Sequence, residues 1–541
     1  MKVSEEKRLE DLESFVISSK MTSLAKENAK NNIFLDAGRG NPNWINKKAR
    51  LAFNRLVEFG IIESERTINK GDLAGYTEQH GMRQRFEAFL RPEEYKIDDF
   101  WLSILDYVRD DMKLNQDEVI KELVDGAIGN NYPLPARCLR NTEKIINQYL
   151  QTTLYNGVDL KDETSIFTTE GGTAAIVYIF NTLRENKLIH YGDKIAINTP
   201  IFTPYIEIPT LNDYQMVEVD LNSDASNNWE IAPGEIDKLL DPSIKLFVVV
   251  NPSNPGSKAF SQKDLAEIKE VIKKRPDLMI VTDDVYGTFV ENFQTLYSVV
   301  PDNTLLVYSF SKLFGATGWR LGLVAAHEDN VFDKLISKLP AKDKKELDKR
   351  YGSVEFDPSK MKFIDRLVAD SRSISLYHTA GLSTPQQIME DLFSLTHLVN
   401  KNQTDSYIET SKRIVGKRYT DLHDSLNYPK DESDDNSKYY SIIDIYNVAE
   451  RKYGKEFRNY LENNFEQLDF LVNLAQKNGV VLMDGVGFGT HPGCLRVSQA
   501  NLPTEDYRLI GNQVMQLLAD YHKQFIEHKV KTSNEFLASK R

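Results

Sequence analysis

The stretch SFSKLFGATGWRLG, residues 309–322, follows the apolar, β-prone run TLLVYS (304–309). A buried strand ends here and a glycine-rich loop begins, so Lys312 emerges at a strand end with Arg320 eight positions further on. Loops at strand ends are where sites sit. Working outward, short apolar runs alternate with helical patterns over roughly 160–325. SIFTT (165–169), DKIAINT (193–199), KLFVVVN (245–251) and LMIVTDD (278–284) read as further strands. Between two of them SQKDLAEIKEVIKKR (261–275) has a serine N-cap, apolar residues at helical spacing and a basic end. This alternation is the signature of an α/β fold with a parallel sheet, in which ligands bind beyond the carboxyl ends of the strands.

Three more motifs fall at those ends. TTEGGTAAIVYIF (168–180) is a strand end, two glycines and a helix start, a place where backbone amides and the helix dipole meet a phosphate. It lacks GxGxxG and GxxxxGK[ST], which argues against a dinucleotide or nucleoside triphosphate. VVVNPSNPGS (248–257) carries two Asn-Pro steps that hold Asn251 and Asn254 extended. VTDDVYGTF (281–289) sets Asp283 at the end of a buried strand, where a carboxylate needs a cation or donors, with Tyr286 three residues on.

At 541 residues the chain is too long for one small core, and its net charge of −13 argues against a nucleic-acid-binding surface. MKVSEEKRLEDLESF lacks the apolar core of a signal peptide and no segment is long enough to span a bilayer, so a cytoplasmic protein without membrane partners is expected. Cys138 and Cys494 are the only cysteines and have no metal-type spacing, so neither a disulfide framework nor a metal site is indicated. The acidic run KDESDDNSK (430–438) reads as a solvated loop. The first 30 residues are amphipathic and could pack as an arm on the core or on a neighbouring subunit.

A phosphate cradle, an amide, a carboxylate, a tyrosine hydroxyl and a lysine at one sheet edge match the needs of pyridoxal 5′-phosphate. The chain resembles the fold-type I, pyridoxal-phosphate-dependent enzymes of the aspartate aminotransferase superfamily. That resemblance implies a large domain with a mostly parallel central sheet over 76–380, carrying helical insertions at about 85–150 and 325–370. It also implies an N-terminal arm and small-domain segment over 1–75 and a smaller α+β domain over 381–541. By the same resemblance Lys312 carries the cofactor, Asp283 pairs with its pyridine nitrogen, and Asn254 and Tyr286 bind its phenolic oxygen. Gly172, Thr173 and Ala174, with Ser309, Ser311 and Arg320, hold its phosphate. In TPIFTPY (199–205) Phe202 takes the place of the aromatic that stacks on the ring. In GYTEQHG (75–81) Tyr76 matches a tyrosine that reaches the phosphate of a neighbouring subunit, implying a homo-oligomer of at least two chains.

Arg496 in HPGCLRVSQA (491–500) resembles the arginine that grips a substrate α-carboxylate, for which a planar guanidinium is suited. LDAGRGNPNW (35–44) resembles the loop that closes over the substrate, with Gly40 lending a backbone amide. This loop and DSRSISLYHTAGLSTPQQ (370–387) are most similar to the aspartate 4-decarboxylase subfamily, whose members form large homo-oligomers. The implied activity is β-decarboxylation of L-aspartate to L-alanine and carbon dioxide, with aspartate aminotransferase side activity. A plain aspartate or aromatic aminotransferase is the alternative, and a non-enzymatic regulator that senses the cofactor is a remote one. Arg39 and Arg372 are candidates for handling the distal carboxylate, and either could equally be a structural or interface arginine. The loop departs from the common NPxNPTG pattern at Gly256, where threonine is usual.

Overall fold

The computed structural model describes residues 12–27, 34–211, 214–401, 403–465 and 468–539. Its centre is an eight-stranded sheet built from β1 (Thr164–Thr169), β2 (Lys194–Thr199), β3 (Val217–Asp224), β4 (Glu230–Ile231), β5 (Ile244–Val250), β6 (Met279–Asp283), β7 (Thr304–Ser309) and β8 (Gly322–His327). The spatial order is β1-β8-β7-β6-β5-β2-β3-β4. β7, β6, β5, β2 and β3 run parallel, while β8 is antiparallel to both β7 and β1, and β4 is antiparallel to β3. The fold is therefore α/β with a mostly parallel sheet, as expected from the sequence, and β8 is the antiparallel strand inserted between β7 and β1. β5, IKLFVVV, is apolar almost throughout because helices cover both sheet faces and leave no side of the strand wet.

The helix Gln262–Lys274 between β5 and β6 starts on a capping box from Ser261 and Asp264 and ends on Lys273 and Lys274, so donors and dipole are satisfied at both ends. Four helices, Met82–Phe89, Asp98–Asp110, Gln116–Ile128 and Arg140–Leu154, fill the stretch before β1. Their apolar faces bury Trp101, Ile104, Val108, Leu123 and Ile146 in the same core as the sheet. None of the helices among the described residues is long and apolar enough to cross a membrane.

A second core gathers Ile17 and Met21 with Leu422, Phe457, Leu471, Val497 and Leu517. It backs a three-stranded antiparallel sheet of β9 (Tyr440–Asp444), β10 (Met483–Asp484) and β11 (Cys494–Ser498), with β11 in the middle. The expected N-terminal arm falls partly outside the described residues; within it Ser14–Glu27 is a helix packed on this core. Both cysteines are buried, and burial pushes the Cys494 thiol up to about 12.

The acidic run 430–438 is not a solvated loop. Lys258, only 5 % exposed, sits among Asp431 (3.3 Å), Glu230 (3.3 Å) and Asp435 (3.6 Å). Three carboxylates converge because a buried ammonium must be paired. The Ser257 hydroxyl and the Tyr440 backbone exchange hydrogen bonds at 2.8 and 3.0 Å. Together these contacts stitch the loop after β5 to the start of β9.

Candidate active site

The carboxyl ends of β5, β6 and β7 open onto a cavity of about 250 Å³. Asn254, Asp283, Tyr286, Ser309, Ser311, Lys312, Arg320 and Arg496 line it, together with Gly40, Gly172, Thr173 and Phe202. Parallel strands end in register, so residues distant in sequence meet at one edge.

At one end the helix Gly172–Glu185 starts at Gly171, whose φ of +90° suits glycine, and no side chain caps it. Its first amides are therefore open to an anion, with Ala174 in the same turn. A Cβ at Gly171 would meet Arg320 Nη2 at 2.6 Å, so the glycine makes room for the guanidinium. Arg320 donates to Thr317 O (2.9 Å) and Glu170 O (3.2 Å), which hold it beside that turn. The Ser309 hydroxyl donates to Leu321 O at 2.9 Å and lies 2.9 Å from Ser311 Oγ.

In the middle, Asp283 Oδ2 accepts from the Tyr205 hydroxyl at 2.9 Å and Oδ1 from Val285 N at 3.2 Å. Burial nevertheless pushes the Asp283 carboxyl up to about 6, against those two donors. A carboxylate in this state is completed by a cation. Lys312 Nζ donates to Gly40 O at 3.2 Å, and the Tyr439 hydroxyl donates to the same carbonyl at 2.9 Å. Gly40 thus presents its carbonyl to these donors, and a Cβ there would collide with Tyr440 Oη. Phe202 packs edge-on to Phe15 of the N-terminal helix, ring centroids 6.0 Å apart.

At the far end Arg496 is 1 % exposed. It donates to Asn254 Oδ1 (3.2 Å) and Gly38 O (2.6 Å), and its buried Nε has no hydrogen-bond partner. Burial lowers its pKa from the ordinary value. No carboxylate neutralises it within hydrogen-bond reach among the described residues, which suits an incoming anion. An open helix start, a carboxylate short of a cation, a lysine and an orphaned guanidinium N–H are the groups that pyridoxal phosphate and an amino-acid carboxylate would occupy.

Three candidates stand apart. Arg372, 4 % exposed, donates to Ala380 O (3.1 Å) and Ala136 O (2.8 Å) and so ties two loops together outside the cavity. Arg39 is exposed and does not line the cavity. Tyr76 is 68 % exposed and likewise outside the cavity of its own chain. Conversely, Tyr205, Tyr439, Tyr440, Thr317 and Phe15 belong to the site without having been singled out. Tyr205 had one local signal, its position three residues after Phe202 at a helix start. Tyr440 had none, because its partners Tyr286 and Arg496 both lie far away in sequence, the first at 154 residues.

The model of the family described as aminotransferase class I and II matches residues 98–510. A Pseudomonas protein named bifunctional aspartate aminotransferase and L-aspartate beta-decarboxylase is 44 % identical over 96 % of this chain and 98 % of its own length. An aromatic-amino-acid aminotransferase 2 from Thermococcus litoralis is 31 % identical over 32 % of this chain and 44 % of its own. Among solved structures, the aspartate aminotransferase from Rhizobium meliloti superposes with a TM-score of 0.60 at 15 % identity, covering 94 % of this chain and 96 % of that one. The aspartate aminotransferase of Thermus thermophilus with maleate gives 0.58 at 15 % identity, covering 92 % and 96 %. Those two likenesses carry the fold, that of the fold-type I aspartate aminotransferases, and the family match carries its dependence on pyridoxal phosphate. The chain belongs to the aminotransferase class I and II family.

Proposed function

We propose that this protein removes the β-carboxylate of L-aspartate, giving L-alanine and carbon dioxide, with transamination of aspartate as a side activity. The observation that carries this reading is the convergence of Lys312, Asp283, Tyr286 and Arg496 on one cavity. The near full-length similarity to the Pseudomonas bifunctional protein supports the choice of reaction.

Lys312, Asp283, Tyr286, Asn254, Phe202, the turn Gly172–Ala174, Ser309, Ser311 and Arg320 would hold the cofactor. Bound there, pyridoxal phosphate supplies an electron sink for the pair released when a bond at the substrate breaks. Asp283, once paired with a ring nitrogen, keeps that nitrogen protonated. Tyr286 and Asn254 donate toward the phenolic oxygen. Arg496 binds the α-carboxylate, its fork fixing the orientation of Cα toward Lys312. The Lys312 amine moves a proton at Cα, the role of a positioned general base.

Arg496 and Arg320 are the arginines lining the cavity among the described residues, and Arg320 stands at the phosphate end. The distal carboxylate is then not clamped by an arginine of its own chain. A firm clamp would stabilise the charged ground state more than a transition state that is losing that charge, so its absence favours departure of carbon dioxide. A proton takes its place on Cβ. Arg39 is exposed on the loop next to Gly40 and does not line the cavity, and Arg372 is spent on backbone carbonyls, so neither clamps that carboxylate. The exposed Tyr76 supports an active unit of at least two chains.

The test is incubation with L-aspartate and pyridoxal phosphate without a keto acid. Sustained equimolar alanine and carbon dioxide, lost in Lys312→Ala, is expected. Amino transfer to an added keto acid with no carbon dioxide would contradict the reading.

A further inference from the structure

Tyr440 enters the cavity from the first residue of β9, packed with the core of the large sheet, and its surroundings are more specific than packing requires. Its hydroxyl lies 2.9 Å from that of Tyr286, and its ring lies under the Arg496 guanidinium with 4.5 Å from Cζ to the centroid. The Phe488 ring also contacts that guanidinium, 4.6 Å from Cζ to its centroid. The Tyr440 hydroxyl also fills the space a side chain at Gly40 would need, and that same point lies 3.3 Å from Lys312 Nζ. One phenol thus touches the tyrosine, the arginine and the loop that frame the cavity.

Its placement is held from both sides. Tyr440 opens β9, pairing with Ser498 at the end of β11. Its backbone is bonded to the Ser257 hydroxyl, three residues beyond Asn254. The Lys258 cluster anchors the segment just before it. A side chain that only filled space would not need its backbone fixed to the loop carrying Asn254.

We propose that Tyr440 is a positioning residue of this site: its hydroxyl donates to Tyr286 Oη, leaving the Tyr286 proton free for the cofactor's phenolic oxygen, while its ring holds the Arg496 guanidinium in plane. The proposal rests on the reading of the cavity given above. The direction of the hydrogen bond follows from bookkeeping of protons. Tyr286 has one, and if it is given to an oxyanion in the cavity, the bond between the two phenols must be donated by Tyr440. A donor that itself accepts a hydrogen bond is polarised and donates more strongly. The cation–π contact acts on a fully desolvated guanidinium, where such contacts are strongest.

The two halves separate experimentally. Tyr440→Phe keeps the ring and deletes the hydroxyl; Tyr440→Leu deletes both. In protein loaded with pyridoxal phosphate, the visible absorbance that depends on Lys312 titrates with pH. Losing a hydrogen bond to the anionic form raises the pKa, so Tyr440→Phe is expected to move that titration upward by about half a unit to one unit. Tyr286→Phe should raise it further, and adding Tyr440→Phe to Tyr286→Phe should raise it no more, since the two act in series. KM for aspartate should stay within about twofold in Tyr440→Phe and rise about tenfold in Tyr440→Leu, the scale of a desolvated cation–π contact.

An unchanged titration in Tyr440→Phe, or an additive rise in the double variant, would overturn the hydroxyl's role. An unchanged KM in Tyr440→Leu would overturn the ring's. If the unmodified protein gains no Lys312-dependent visible band with pyridoxal phosphate, the reading of the cavity falls, and the proposal with it. If the band is present and lost in Lys312→Ala, a failed shift counts against Tyr440 alone.

Discussion

Arg496 Nη1 donates to Asn254 Oδ1 across 3.2 Å, joining the middle strand of the smaller sheet to the loop that follows β5. One residue assigned to the substrate carboxylate thereby orients one assigned to the cofactor. Arg496→Lys keeps the charge and loses the fork, so both the bond to Asn254 and bidentate capture of a carboxylate disappear. Charge-assisted hydrogen bonds contribute about 1.5–3 kcal/mol, so kcat/KM for aspartate should fall roughly 10- to 100-fold, mostly through KM. Steady-state kinetics on the purified variant checks this.

Gly40 is glycine because its neighbours leave no room. A Cβ there would collide with Tyr440 Oη and lie 3.1 Å from Tyr440 Cζ. Gly40→Ala should destabilise the protein by about 1–3 kcal/mol and depress activity, the scale of overpacking. Combining it with Tyr440→Phe removes the worst contact, so thermal stability should partly return. A double variant no more stable than Gly40→Ala would show the collision is relieved elsewhere.

Lys258 holds three carboxylates, two of them from the acidic run 430–438. Lys258→Met leaves Asp431 buried without its cation. Removing one partner of a buried pair is costly, but Glu230 and Asp435 are partly exposed, so the loss should be roughly 1–3 kcal/mol. Because this run leads into Tyr440, activity should fall as well. Chemical denaturation reports the first effect, aspartate turnover the second.

Asp283 titrates near 6 in the folded chain, above its value of 3.8 when free. The folded state therefore holds the proton more tightly, so ionisation opposes folding: the cost is absent below about pH 4 and complete above about pH 6. Asp283→Asn removes it. Without cofactor the variant should be more stable than the unmodified protein by about 1–3 kcal/mol at pH 8 and no more stable at pH 4. Turnover should drop at least about 100-fold, since the amide cannot keep a ring nitrogen protonated. Thermal melts at the two pH values and aspartate turnover separate these effects.

Much of the sheet was legible because a strand covered on both faces is nearly all apolar, as in β5 and β7, and each ends in a glycine, proline or acidic motif. β8 escaped because GLVAAH follows the Lys312 loop directly and its antiparallel direction is set by a short return, not by composition. The residues that strand-end motifs carry, Lys312, Asp283, Tyr286 and Asn254, meet in the cavity because parallel strands end together. Tyr440 and Lys258 were invisible for the opposite reason: Tyr286 lies 154 residues from Tyr440 and Asp431 lies 173 from Lys258, and no local pattern reports such a contact. Charge runs mislead similarly. KDESDDNSK looks solvated until its buried counter-ion is known. Arg372 reads like any arginine, and only the fold shows its guanidinium spent on backbone carbonyls.

The most direct measurement uses L-aspartate labelled with carbon-13 at one carboxylate at a time, without a keto acid. The account predicts labelled carbon dioxide from the C4-labelled substrate only, with C1 label retained in alanine, because Arg496 keeps the α-carboxylate bound. Labelled carbon dioxide from C1, or oxaloacetate with no carbon dioxide from either, would contradict it.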